Sequence, residues 1–155
     1  MEFDYRAWCQ SWHKRYGVWP AGHSFYWDIP FLEQPPKAIV CLPTKDDWQN
    51  RSRIEWIRQG LDSMVAHMLG NGHRSIAMPA LGCGLGGLDF EQVYPVIEKA
   101  FFNTNLYAVV YASKQQITDY RQKHPDSKRI AYANEKPEFE GAGAADCRAR
   151  AACLK

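Results

Sequence analysis

The chain has 155 residues, a length that fits one domain with one hydrophobic core. Apolar residues make up 46% and charged residues 23% of the sequence, which excludes both a disordered and a fibrous protein. The net charge of +2, from 19 Lys and Arg against 17 Asp and Glu, is too small to bind nucleic acid by electrostatic attraction alone.

The five cysteines indicate neither a disulfide framework nor a zinc site, because no CxxC pair occurs and no histidine lies at ligand spacing from them. We therefore expect no metal and no cofactor. The N-terminus lacks the basic and apolar segments of a signal peptide, and no run of about 18 apolar residues occurs. We expect a cytoplasmic protein without membrane contact.

The N-terminal part of the chain predicts one helix and two strands. Residues 2–16 have the spacing of a short amphipathic helix, and the aromatic residues of 24–29 predict a strand. Residues 38–42 form a continuous apolar run that stops at Pro43. Such a run is typical of a strand that is buried on both faces.

The strongest helix signal begins at Ser52, which forms a capping-box pattern with Glu55. Apolar residues then recur at spacings of three and four until Gly70-Asn71-Gly72, which predicts the end of the helix. Residues 75–81 form another apolar run and predict a third strand.

The C-terminal half continues the alternation of helices and strands. A second helix is predicted from Asp89, with Pro95 inside it, and residues 106–112 predict a fourth strand. Residues 115–123 have the composition of a short polar helix. This order predicts an α/β fold, because parallel strands need long crossover connections and helices commonly supply them.

We therefore expect a three-layer α/β/α domain with one mixed sheet, in which residues 38–42 and 75–80 are neighbouring parallel strands. The core should span residues 1–113, and residues 114–140 should form a polar extension. Residues 141–155 are rich in Gly and Ala and have the composition of a disordered tail.

Two segments follow strands at the edge of the sheet where α/β proteins bind ligands. The loop 82–87 has four glycines in six residues between a strand and a helix, so its backbone N–H groups can approach an anion such as a phosphate. The alternative is a tight turn that needs glycine for its backbone angles. Lys45 follows residues 38–42 and should lie at the same edge, although a single lysine is usually a solvated surface residue.

The motif Pro43-Thr44-Lys45 and the segment 76–90, with a helix between them, resemble the macrodomain family. The nearest branch is that of the DNA ADP-ribosyl glycohydrolases and their relatives that remove ADP-ribose from protein carboxylates, and the resemblance covers about residues 5–113. It implies that Lys45 is the catalytic residue. It also implies that ADP-ribose is bound by Thr44 and by the loop residues Gly82, Cys83, Gly84, Leu85, Gly86 and Gly87.

The sequence departs from the family pattern in two ways. Family members begin with two further strands and a glycine-rich loop that help to bind adenosine, and nothing before Phe3 matches them, so we expect an N-terminally truncated domain. Some hydrolases of the branch carry an acidic residue where this chain has Gly86, which leaves the general acid unassigned. Cys83 is either a reactive thiol at a helix N-terminus or a buried spacer.

The aromatic residues are concentrated near the N-terminus, where the missing strands would leave apolar surface exposed. Four explanations remain open: a partner chain, self-association, local collapse of the aromatic side chains, or an ordinary aromatic core. The residues concerned are Trp8, Trp12, Trp19, Phe25, Tyr26 and Trp27.

Three functions are compatible with these features. The first is an enzyme that releases ADP-ribose from DNA bases or protein side chains, and the second is a module that binds ADP-ribose without turnover. The third is a remnant domain that acts through protein association and has no nucleotide affinity.

Overall fold

A computed structural model of the chain describes residues 5–17, 19–29 and 36–125. Every helix and strand predicted from the sequence is present in these residues, with boundaries that shift by a few residues. In chain order the elements are α1 (Tyr5–Tyr16), β1 (Phe25–Asp28), β2 (Ala38–Cys41), α2 (Ile54–Gly70), β3 (Ser75–Pro79), α3 (Phe90–Phe101), β4 (Tyr107–Tyr111) and α4 (Lys114–Lys123).

The strands form two separate two-stranded sheets within the described residues. β1 pairs with β2 in antiparallel orientation, with Phe25 opposite Cys41 and Asp28 opposite Ala38. β3 pairs with β4 in parallel orientation, and α3, which lies between them in the chain, makes the crossover. The α/β class is as predicted, but the pairing of β2 with β3 in a single sheet is wrong.

The burial of β2 gives the physical reason for this difference. All four of its residues are half-buried, whereas a central strand of a parallel sheet would have both faces covered. An apolar run indicates that a strand contacts a core, but it does not identify the strand that lies beside it. The expectation that residues 38–42 are buried on both faces is therefore also wrong.

Helix α2 connects the two sheets through one hydrophobic core. Ile57 and Leu61 on this helix are completely buried, and Met64 and Met68 extend the same stripe. Val40 of the first sheet packs on this core, and so do side chains of α3 and of the second sheet: Ile76, Met78, Val93, Ile97, Phe101, Ala108 and Val110. The two sheets are thus held together by side-chain packing.

Helix α4 packs on α3 and forms a second, smaller core. Ser113 and Gln116 make a complete capping box at its start. Its buried residues Ile117 and Tyr120 contact Phe90 and Tyr94 of α3. Part of the predicted polar extension thus packs against the domain, whereas the predicted tail 141–155 lies outside the described residues.

The N-terminal aromatic residues pack against one another. The ring centroids of Trp12, Trp19 and Phe25 lie 4.4 to 4.8 Å apart. Trp8 joins them, with its ring 5.2 Å from Trp19 and 6.2 Å from Trp27. These side chains are half-buried and lie outside the main core, which corresponds to the predicted local collapse. We call these five residues the aromatic cluster.

None of the helices in the described part of the chain combines the length and the apolar character that crossing a bilayer requires.

Candidate functional site

Lys45 follows β2 and reaches the glycine loop, as predicted. Its ammonium group donates a hydrogen bond of 2.6 Å to the carbonyl of Leu85 in that loop and one of 3.3 Å to the carbonyl of Trp48. Lys45 itself is half-buried. The contact brings together two segments that are 40 residues apart in the sequence, and these are the segments that the motifs identified.

Ser52 also links the Lys45 segment to the glycine loop. Its side chain is buried, with 5% exposure, and its hydroxyl donates a hydrogen bond of 2.9 Å to the hydroxyl of Thr44. Its backbone N–H donates to the carbonyl of Gly86, also at 2.9 Å. Thr44, Ser52 and Gly86 therefore form a continuous hydrogen-bonded link between the Lys45 segment and the glycine loop.

The predicted capping box at Ser52 is wrong. Helix α2 begins at Ile54, and Arg53 occupies the N-cap position without a side-chain capping bond. The physical reason is that the hydroxyl of Ser52 donates to Thr44 and lies one residue too early to cap the helix. A tertiary contact thus overrides the local pattern.

Three of the four loop glycines are required by the fold itself. Gly82 and Gly87 both have a φ of +70°, a conformation that side chains with a Cβ rarely adopt. A Cβ on Gly86 would overlap the Ser52 hydroxyl and the Gly82 carbonyl. Gly84 differs, because a Cβ there would have no atom within 4 Å. The tight-turn explanation therefore accounts for Gly82, Gly86 and Gly87, but not for Gly84.

The tip of the loop presents three consecutive backbone donors. The N–H groups of Cys83 and Gly87 are used within the loop, where they donate to Ala80 and Gly84 at 3.1 and 3.0 Å. In the described part of the chain, the N–H groups of Gly84, Leu85 and Gly86 have no such acceptor. Free consecutive donors of this kind make an anion-binding concavity.

Cys83 is a spacer within the loop. Burial, together with the smaller effect of the nearby Asp89 carboxylate, raises the pKa of its thiol to about 11. The thiol donates a weak hydrogen bond of 3.5 Å to the carbonyl of Leu81. The alternative of a reactive, low-pKa thiol is therefore wrong, because the thiolate is disfavoured in this environment.

An open groove of about 320 Å³ lies beside Lys45. Trp48 borders it with 80% of its surface exposed, and on the loop Leu85 is 98% exposed. The backbone carbonyls of the same two residues accept the hydrogen bonds from the Lys45 ammonium. The groove is lined by His13, Trp19, Pro43, Thr44, Lys45, Asp46, Asp47 and Trp48.

The two acidic residues of the groove shape its wall. One oxygen of Asp46 accepts hydrogen bonds from the Asp47 N–H at 2.9 Å and from the Asn50 side chain at 3.1 Å. The bond from Asn50 lowers the pKa of Asp46, so this carboxyl is ionised at neutral pH. Asp47 accepts from the N–H of Gln49 at 2.9 Å. Asp46 therefore does not have the raised pKa that a general acid needs.

Sequence reasoning missed several residues of the site. It assigned Ser52 to helix capping, and it gave no role in the groove to His13, Trp19 or Trp48. His13 and Trp19 reach the groove because α1 folds back toward the segment after β2. The signal for Trp48 is its place three residues after Lys45.

Two relatives of known name match part of this chain. The chain is 47% identical over 101 residues to a DNA ADP-ribosyl transferase–DNA ADP-ribosyl glycohydrolase fusion protein of Thermosipho africanus, covering 65% of this chain and 23% of that protein. It is 32% identical over 84 residues to a human ADP-ribose glycohydrolase, covering 54% of this chain and 55% of that protein. The chain thus spans about half or less of the length of these relatives.

Solved structures show the same fold. The macrodomain of Mycobacterium tuberculosis DarG superimposes with a TM-score of 0.63 at 31% identity, covering 70% of each chain. The Thermosipho africanus DarTG in complex with ADP-ribose gives a TM-score of 0.61 at 26% identity, covering 70% of this chain and 31% of that one. The Macro domain model matches residues 3–97, more than half of the sequence. This chain therefore belongs to the macrodomain family.

Proposed function

We propose that this protein binds ADP-ribose in the groove beside Lys45 and hydrolyses the bond that attaches ADP-ribose to a macromolecule. The observation that carries the proposal is the hydrogen bond of 2.6 Å between Lys45 and the carbonyl of Leu85. It places a cationic side chain at the tip of a loop whose consecutive N–H groups are free. The names of the relatives, with the ADP-ribose complex of one of them, support the same ligand.

The loop would bind the diphosphate. Three free N–H groups at Gly84, Leu85 and Gly86 can each donate to a phosphate oxygen. Gly84 has no Cβ, so the backbone can approach the phosphate closely. This role explains the one glycine that the loop's own geometry does not require.

Lys45 would act at the anomeric carbon of the distal ribose. Hydrolysis breaks the bond from this carbon to the base or side-chain atom, and positive charge develops on the ribose in the transition state. A neutral amine has two N–H donors and one lone pair. Once the Lys45 ammonium has given one proton to solvent, the carbonyls of Leu85 and Trp48 can accept its two remaining N–H donors, and the lone pair attacks the anomeric carbon. The bond to the base or side-chain atom breaks as that atom takes a proton from solvent. Water then displaces Lys45 and releases ADP-ribose.

The groove suits a substrate with an exposed ring system. Trp48 and Leu85 project apolar surface next to the carbonyls that hold Lys45. An unpaired nucleobase stacks well on such a surface, and stacking on an aromatic side chain needs no particular sequence. We propose ADP-ribosylated DNA as the substrate, and the 47% identity to the Thermosipho africanus relative supports this choice.

A binding module without turnover is the second candidate. Two points favour it. The resemblance to the family implies an acidic residue in some hydrolases where this chain has Gly86. The ionised Asp46 accepts hydrogen bonds from Asp47 and Asn50 within its own loop. Such a module would use the same loop and groove. The two candidates therefore differ only in whether Lys45 supports a reaction.

Two measurements separate these candidates. Calorimetric titration with ADP-ribose measures binding, and incubation with ADP-ribosylated DNA or ADP-ribosylated protein measures release of ADP-ribose. Heat of binding together with release from DNA supports the enzyme. Heat of binding without release from either substrate supports the module, and absence of heat contradicts both candidates and leaves protein association.

A further inference from the structure

Three potential metal ligands meet at a place far from the groove. One carboxylate oxygen of Asp28 and one ring nitrogen each of His67 and His73 all lie within 4.8 Å of one another. Asp28 ends β1, His67 lies in the last turn of α2, and His73 follows that helix. The sequence does not reveal this group, because Asp28 is 39 residues from His67 and no cysteine accompanies the two histidines.

The end of α2 fixes the two histidines relative to each other. The N–H of His73 donates to the carbonyl of Met68 at 2.9 Å, and that of Gly72 donates to Leu69 at 3.4 Å. With a φ of +70° at Gly72, these bonds form a Schellman motif. This motif brings the residue after the glycine against the last turn of the helix, where an apolar pair usually packs. Here the pair is His67 and His73, whose ring centroids lie 6.0 Å apart.

Both histidines have a buried ring nitrogen without a hydrogen-bond partner. The Nε2 atoms of His67 and His73 are inaccessible to solvent and unpaired among the described residues. Buried polar atoms of this kind are rare, because each one loses its bonds to water without replacement. Tyr26 covers one face of the His67 ring, with centroids 3.4 Å apart and planes at 8°. The group therefore lacks a partner that a bound ion would supply.

We propose that Asp28, His67 and His73 bind one divalent transition-metal ion, with Zn²⁺ as the expected species. Two imidazoles and one carboxylate are a ligand set that zinc accepts, with a water in the fourth position. Ligand atoms around tetrahedral zinc are about 3.3 Å apart, so the side chains must close slightly around the ion. Asp28 is exposed and can rotate to complete the site.

The position of this site indicates a structural role. Asp28 pairs with Ala38 at one end of the β1–β2 ladder. Cys41 lies at the other end, and the chain continues from it to Lys45. His67 is 13 residues after Ile54, where α2 begins, so it lies roughly 20 Å along the helix from the segment that leads from Lys45 into α2. The ion would tie β1 to the end of α2, and so add a direct link between the first sheet and the helix at the centre of the core.

Titration of metal-stripped protein with Zn²⁺ and with Co²⁺ tests the proposal. We expect one ion per chain, a higher melting temperature with Zn²⁺, and the weak visible absorption of Co²⁺ bound to nitrogen and oxygen. His67→Ala and His73→Ala should each lower the Zn²⁺ affinity more than tenfold, and Asp28→Asn should lower it several-fold. His124→Ala removes a histidine elsewhere on the surface and should leave the affinity unchanged.

The proposal is overturned if Zn²⁺ does not bind at micromolar concentrations. It is also overturned if both histidine variants bind with the affinity of the original protein, or if Co²⁺ gives strong thiolate absorption that cysteine alkylation removes. His67→Gln and His73→Gln keep the size of the side chains in case an alanine variant does not fold. Zn²⁺ binding to protein that binds no ADP-ribose would support this site independently of the proposed function.

Discussion

The hydroxyl of Ser52 donates to the hydroxyl of Thr44 across 2.9 Å, and Thr44 lines the same groove as Lys45. The same serine donates its backbone N–H to Gly86 in the glycine loop. Ser52 therefore sets the distance between the lysine segment and the loop. It contacts neither the free N–H groups nor Lys45, so it is a positioning residue.

Ser52→Ala should lower the free energy of unfolding by about 1 kcal/mol, because the half-buried Thr44 hydroxyl loses its donor. ADP-ribose affinity should fall by a few-fold as the loop loses its fixed spacing. Urea denaturation and calorimetry measure the two effects. Thr118→Ala is the control, since it removes an exposed hydroxyl that bonds to Lys114, and it should change neither quantity.

Gly84 and Gly86 should respond differently to substitution. Gly84→Ala has open space for its Cβ and should keep the melting temperature, yet lower ADP-ribose affinity more than tenfold by blocking the approach of the diphosphate. Gly86→Ala would press on Ser52 and on the Gly82 carbonyl, so it should destabilise the fold. Sequence reasoning treated these two glycines alike.

Thermal denaturation together with ADP-ribose titration separates the two glycines. If Gly84→Ala binds ADP-ribose with unchanged affinity, the loop is only a turn and the diphosphate lies elsewhere. If Gly86→Ala is as stable as the original protein, the close contact with Ser52 does not restrict the loop.

The types of the elements could be predicted from the sequence because local signals decide them. Gly70-Asn71-Gly72 ends α2 as predicted, and Asp89 caps α3 through a bond from the N–H of Glu91. The capping-box prediction at Ser52 is wrong because the Ser52 hydroxyl donates a hydrogen bond to Thr44 outside the helix. Local patterns describe the chain well only where no tertiary contact competes for the same atom.

Features that depend on distant pairing could not be predicted in this way. The sequence indicated that Lys45 and the glycine loop share one edge, since each follows a strand, and the contact with Leu85 confirms that they meet. It did not indicate that β2 and β3 lie in different sheets, nor that Asp28 meets His67 and His73. Those contacts join segments whose relative positions are set by packing around α2.

Cys83 should react slowly with alkylating reagents at neutral pH. With a pKa of about 11, only about 0.1% of the thiol is ionised at pH 8. Because the pKa is raised in the folded protein, the associated stability is complete below the pKa of the unfolded thiol and is lost as pH rises through about 11. Mass spectrometry of iodoacetamide-treated protein measures the rate, with urea-unfolded protein as the control. Equal rates in both states would contradict the burial of the thiol.

The aromatic cluster should mediate self-association or partner binding, as the sequence suggested. Its side chains remain half-buried after they pack against one another. Association with a second molecule would bury the apolar surface that is still exposed and so lower the free energy. Sedimentation velocity at increasing protein concentration should show dimers that Trp19→Ser weakens. A monomer at all concentrations, without binding of a dye for apolar surface, would contradict this prediction.

Lys45→Ala should abolish the release of ADP-ribose from modified DNA while ADP-ribose affinity changes by only a few-fold. An interaction that is made only in the transition state lowers turnover without changing ground-state affinity, which distinguishes a catalytic lysine from a phosphate ligand. The fold should tolerate the change, because the bonds from Lys45 to Leu85 and Trp48 lie at the surface. Lys114→Ala, which removes a lysine from the exposed first turn of α4, is the control and should retain full turnover. The release of ADP-ribose from modified DNA measures turnover, and calorimetry measures ADP-ribose affinity, for both variants and the original protein. If affinity and turnover fall together, Lys45 binds the diphosphate and another group performs the reaction.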